Sequence, residues 1–256
     1  MINIDKYAYA SKLKNINPME KIFFAILTLS VCLWANNLVV SLFIITIMAF
    51  LIIRIGGTNW KEFLRLMIIP TGFLVISIIT IVINYSSNRG DLIYSIKLFH
   101  GWIGISKNGV YEGINMFFKV LGALSSLYFI SLTTPMIDVI SVLKKFRIPD
   151  FLIEIIGLVY RFIFILLETS QTMFISQNSR LGYRDTRTSF KSLGALAATL
   201  FIRSFKRAND LYISLESRGY NGELNVLQEQ FKKRNYLYGV AIAINLILII
   251  ITIFIN

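Results

Sequence analysis

The sequence is poor in the residues that build most catalytic and metal sites. It has one cysteine and one histidine in 256 residues. Cys32 alone excludes an intrachain disulfide and any cysteine cluster, and His100 alone leaves little for a transition-metal site. No G-x-x-x-x-G-K-[ST] occurs, so no phosphate-binding loop is expected and ATP hydrolysis is not expected of this chain. No H-E-x-x-H is present, and the 14 carboxylates are scattered rather than clustered. An enzyme or a metal-binding protein is therefore disfavoured, and no cofactor is expected on this chain. The N-terminal "MINIDKYAYASKLKNINPME" lacks the apolar core of a cleavable signal.

Apolar residues, by contrast, are abundant. They make up 55% of the chain, and the mean hydropathy is +0.66, far above that of a soluble domain. The net charge of +12 reads as membrane orientation rather than nucleic-acid binding. Five runs have the length of a bilayer core at about 1.5 Å per residue: 18–36, 38–55, 66–83, 113–132 and 236–255. Pro18 is suited to open the first run, and Lys21 to snorkel from it. Asn36-Asn37 reads as a tight reversal, Pro70 as a first-turn proline, and 84–111 as a polar connecting loop. Lys119 reads as a snorkelling or helix-contact residue rather than a substrate ligand.

Residues 134–235 differ in character. The stretch 150–182 is helical in period but carries Glu154, Arg161 and Glu168, spaced by seven and so on one face. Such a stripe is costly against lipid. It points to an amphipathic helix at the interface, or to a sixth span if 150–168 enters the bilayer. In 189–217, Leu193, Leu200, Ala208, Leu211 and Leu215 gather on one side, with Arg203, Lys206, Arg207 and Asp210 on the other. The small-residue run 194–199 suits a close helix crossing.

Lys and Arg number four in 1–21, three in 54–65 and fifteen in 134–235, against none at 36–37 and three in 84–111. The positive-inside rule then makes the N-terminus and 134–235 cytoplasmic, and five spans leave the C-terminus outside. The expectation is an all-α integral membrane protein of five transmembrane helices, or six, with long amphipathic cytoplasmic helices. Its divisions are a transmembrane bundle (1–133), a cytoplasmic-facing helical region (134–235) and a last span (236–256).

Two Ser-Arg sites end the amphipathic segments: "SRLGYRD" (179–185) and "LESRGYNGEL" (215–224). Gly182 and Gly219 are placed to stop each helix, and a last-turn arginine suits the helix dipole. Two exposed guanidinium forks also suit carboxylates on a partner with two equivalent pockets. Tyr183 and Tyr220 would add contact area there.

The stretches "IDKYAYASKLKNINPMEK", "SLTTPMIDVISVLKKFRIPDF", "YRFIFILLETSQTMFISQNSRLGYR" and "ESRGYNGEL" together resemble the transmembrane T component of energy-coupling-factor importers, in particular the CbiQ family of cobalt and nickel systems. The resemblance implies two Ala-Arg-Gly-like motifs that dock into two cytoplasmic ATPases. They fall here on Ser179, Arg180 and Leu181, and on Ser217, Arg218 and Gly219. Serine replaces alanine twice, and Leu181 stands in the glycine position, with Gly182 expected to supply the turn one residue later. It further implies that ATP and its magnesium are handled by the partner ATPases. A separate membrane substrate subunit would bind the metal cargo, held by the crossing amphipathic helices. The same resemblance makes the setting a prokaryotic cell membrane. Alternatives at this level are a T component shared among vitamin transporters and, from a different class, a stand-alone channel or carrier.

Overall fold

The structure, a computed structural model, describes residues 4–86, 92–98, 101–146, 148–220 and 236–255. His100 and residues 221–235 lie outside the described residues. Two compact units emerge, Met1–Val139 with Gln230–Asn256, and Ile140–Glu229.

In the first unit a short helix α1 (Ile4–Ala10) and a 3-10 turn (Lys12–Asn15) lead into α2 (Pro18–Ala35). Pro18 opens α2 as expected, with the Asn17 side chain capping the Met19 N–H at 3.1 Å. The Asn36-Asn37 reversal also forms: Asn36 takes the left-handed region and Asn37 caps α3 (Leu38–Phe50), which continues through a π-helical turn, Leu51–Ile55. Val40, Ile44, Met48 and Ile52, four residues apart, are fully buried and form the spine of the core. Next come α4 (Trp60–Val82), α5 (Lys107–Thr133) and the start of α6 (Met136–Lys145). The apolar α9 (Tyr236–Ile255) lies along α2, where Asn245 donates to the Thr28 hydroxyl at 3.2 Å.

Among the described residues, four helices are long and apolar enough to cross a membrane: 18–35, 38–55, 60–82 and 108–133; the described apolar stretch of α9, 238–254, is shorter. The protein is an all-α integral membrane protein in its spanning part. Lipid offers no hydrophobic drive between helices, so shape-matched packing and buried hydrogen bonds hold the bundle.

Three sequence expectations need correction. Pro70 does not lie in the first turn, because α4 begins ten residues earlier, at Trp60. Proline leaves the carbonyl four residues back without its helical partner. That carbonyl, on Leu66, accepts the Tyr128 hydroxyl from α5 at 3.1 Å, so the bundle repairs the gap. Lys21 does not snorkel: it is 4% exposed, and its ammonium donates to Leu13 O (3.1 Å) and Thr133 O (2.9 Å). The 84–111 loop contains a three-stranded antiparallel sheet, β1 (Ile83–Ser86), β2 (Leu92–Leu98) and β3 (Gly101–Ser106), in the order β1-β3-β2. Short β-rich runs broken by polar residues average out as a loop in a hydropathy reading. Lys119 makes the expected helix contact, donating to Asn36 Oδ1 at 3.3 Å, while Asn115 binds Asn36 O at 2.7 Å.

The second unit is dominated by two long helices, α7 (Asp150–Ser179) and α8 (Thr186–Ser217). Neither is among the four apolar spans.

Candidate functional site

Both Ser-Arg sites are helix ends of one geometry. Arg180 closes α7 at φ −96°, ψ 17°, and Arg218 closes α8 at φ −93°, ψ 7°. The next residue is left-handed in each case, Leu181 at φ 60° and Gly219 at φ 73°. At the first tip the Gly182 N–H bonds Gln177 O at 2.8 Å and the Leu181 N–H bonds Asn178 O at 3.0 Å. At the second, the Tyr220 N–H bonds Leu215 O and the Gly219 N–H bonds Glu216 O, both at 3.0 Å. This paired six-to-one and five-to-two pattern is a Schellman end, which satisfies the last carbonyls and turns the chain sharply away.

The first tip corrects the sequence reading. Leu181 itself takes the left-handed step, at a cost of about 1–2 kcal/mol for a residue with a Cβ. Gly182 serves another purpose, since a Cβ there would lie 2.8 Å from Gln177 O and 2.8 Å from Ser192 Oγ. Its missing side chain lets the turn sit against the start of α8, where Ser192 Oγ donates to Gly182 O at 2.8 Å. The small residue is needed for close approach rather than for its backbone angles.

Asp185 caps α8, accepting from the Thr188 N–H and the Thr188 hydroxyl, both at 2.8 Å. The backbone bond first, and then the hydroxyl, hold its carboxyl below the ordinary aspartate range. Arg180, Leu181, Arg184 and Arg187 are exposed around this turn, as are Arg218 and Gly219 at the other. Ser179 and Ser217 return their hydroxyls to the carbonyls four residues back, Ile175 at 3.0 Å and Ile213 at 2.8 Å.

Both tyrosine hydroxyls are bonded within the chain, while Tyr220 itself stays 38% exposed. Tyr183 donates to Gln177 Oε1 at 2.7 Å and lies 4.6 Å from the Phe174 ring. Tyr220 donates to Glu154 Oε2 at 2.7 Å, a bond across 66 residues. Its hydroxyl titrates above the ordinary phenol range because of that carboxylate. The Arg218 tip is thus beside the first turns of α7. The Arg180 tip adjoins the opposite end of α8, whose 32 residues span roughly 48 Å at about 1.5 Å each.

The polar stripe of α7 is graded. Glu154 is half-buried and bound to Tyr220, whereas Arg161 and Glu168 are exposed. On α8, Arg203, Lys206, Arg207 and Asp210 are exposed as a charged side. The apolar side is broader than expected. Leu200, Leu211 and Leu215 are half-buried, together with Leu196 and Ser204. Leu193 and Ala208 are exposed instead, on a stripe with Phe190 (77%), Phe201 (74%) and Phe205 (72%). Within the small-residue run, a Cβ on Gly194 would touch nothing within 4 Å among the described residues. Among the described residues, no group of three or more His, Cys, Asp or Glu converges as a metal site.

Comparison with known proteins matches residues 10–229 to the family model described as CbiQ, cobalt transport protein. The chain belongs to the CbiQ family. One relative is the cobalt transport protein CbiQ of Salmonella typhimurium, 31% identical, with 88% of this chain and all of that protein covered. An uncharacterized protein of Methanocaldococcus jannaschii is 32% identical over 88% of this chain and 83% of its own. The energy-coupling factor transporter transmembrane protein EcfT of Staphylococcus aureus is 24% identical over 91% and 88%. The CbiQ match spans both arginine tips and the helices between them. The link from Glu154 to Tyr220 had no signature in the CbiQ-family sequence, because no periodicity connects residues 66 apart.

Proposed function

We propose that the chain is the transmembrane coupling subunit of an energy-coupling-factor importer for cobalt or nickel ions. It is non-catalytic, and it transmits the motion of two cytoplasmic ATPases to a separate membrane subunit that binds the ion. The observation that carries this reading is the pair of equivalent arginine-bearing helix ends, set at opposite ends of α8. Two like tips so far apart suit two like pockets on a dimeric partner, with Arg180 and Arg218 each gripping a carboxylate. Ser179, Leu181 and Gly182 shape one tip, and Ser217 and Gly219 the other.

Further support comes from the relatives' names, cobalt transport protein and energy-coupling factor transporter transmembrane protein. The exposed aromatic stripe of α8 is large enough to seat an apolar partner helix. The charged side, with Arg203 and Arg207, faces the aqueous cytoplasm in this arrangement, and the excess of Lys and Arg supports a cytoplasmic N-terminus. ATP and magnesium belong to the ATPases, and the transported ion to the substrate subunit.

The test is purification of the full chain from its own host through an affinity tag, with native mass measurement and Co²⁺ and Ni²⁺ uptake in vesicles. The expected result is a complex holding two ATPase subunits and one further membrane protein, with uptake that stops when ATP is withheld. A chain that purifies alone and moves ions without ATP is a channel or carrier. Uptake of a vitamin in place of either ion moves the complex to the shared type.

A further inference from the structure

The two tips share a backbone but use their tyrosines differently. Tyr183 is bonded within its own turn, to Gln177, whose amide in turn donates to Ser192 O at 3.1 Å. That tip is braced against the helix that follows it. Tyr220 instead bonds far away in sequence, to Glu154 on the second turn of α7. The α7–α8 pair is therefore closed twice, by its connecting turn at one end and by this bond at the other.

From this geometry we infer that Glu154 is a positioning residue for Arg218. Through Tyr220 it fixes the second tip to α7, so that both tips ride on one body. The inference rests on the coupling role proposed above and deepens it. A hydroxyl donating to a carboxylate forms a charge-assisted bond, stronger than a neutral one. Tyr220 adjoins the left-handed Gly219, itself next to Arg218. The tie adds to the helix end a second hold on the backbone that carries Arg218. That backbone is then fixed to α7 before the partner arrives, which lowers the ordering cost of binding.

The experiment measures release of the ATPases from the immobilised complex. Tyr220→Phe removes the donor, Glu154→Leu the acceptor, and Glu154→Gln keeps an acceptor oxygen without charge. Tyr220→Phe and Glu154→Leu are each expected to speed release about tenfold. The double variant should release no faster than either single one, and Glu154→Gln should restore most of the retention. In an Arg218→Ala background these changes should add nothing, whereas in an Arg180→Ala background they should act in full. A general loss of fold would act equally in both backgrounds, and that result overturns the positioning role, as does unchanged release in Tyr220→Phe. If Arg218→Ala itself leaves release unchanged, the coupling reading falls first and the positioning role with it.

Discussion

Leu181 and Gly219 occupy the same left-handed step, at φ 60° and 73°, one residue beyond the arginine of each helix end. A leucine there bears a steric cost that the glycine avoids. Leu181→Gly should therefore stabilise the α7–α8 turn, by on the order of 1 kcal/mol once glycine's greater unfolded freedom is counted. Leu181→Val should destabilise it. Thermal unfolding of the purified variants in detergent is the measurement, and a loss of stability in Leu181→Gly would contradict the strain argument.

Gly182 is expected to be the less tolerant neighbour. A methyl there meets a backbone carbonyl, Gln177 O, at 2.8 Å, and a carbonyl cannot swing aside as a side chain can. Gly182→Ala should cost about 1–3 kcal/mol. Ser192→Ala, which removes one bond to Gly182 O, should cost about 1 kcal/mol. Comparing the two by thermal unfolding separates steric conflict from the lost hydrogen bond.

The cap at Asp185 makes a pH prediction. Its carboxyl is held below the ordinary aspartate range by Thr188, so the folded turn prefers the charged form. The stabilisation is present above the unfolded-state value and is lost as pH falls through the lower folded value. The protection factors of the Thr188 and Ser189 amides, taken relative to the intrinsic exchange rate at each pH, should fall on acidification in the native chain. Asp185→Asn, which keeps an acceptor but no titrating group, should remove the pH dependence.

Within the bundle, Tyr128→Phe leaves Leu66 O without the donor that stands in for the one Pro70 lacks. Lys21→Met strips two buried carbonyls, those of Leu13 and Thr133, of their donor. Each loss should cost about 1–3 kcal/mol per stranded group, so Lys21→Met should be the more damaging. Lys119→Met, at an exposed contact to Asn36, should change stability little. Thermal unfolding checks the order.

What the sequence made legible was local. The helix-opening Pro18, the Asn36-Asn37 reversal and the ends of the two long helices near Arg180 and Arg218 follow from residue chemistry within a few positions. What stayed hidden depended on distant partners. Lys21 looks like a snorkelling lysine until the carbonyls of Leu13 and Thr133 are found around it. Pro70 looks like a helix start because its remedy, Tyr128, is 58 residues away in α5. The small sheet escaped because hydropathy averages across strands only a few residues long. At the tips, the arginines were visible, but the exchange of roles between Leu181 and Gly182 was not. One takes the left-handed angle and the other makes room for Ser192.

The most direct test of the coupling account is ATP-driven Co²⁺ or Ni²⁺ uptake by the reconstituted complex carrying Arg180→Ala, Arg218→Ala or both. Loss of a charge-assisted contact to a buried partner carboxylate should weaken ATPase association by about 2–5 kcal/mol. The account predicts that each single variant inserts normally yet transports poorly, and that the double variant does not transport. Full ATP-driven uptake by the double variant would contradict it.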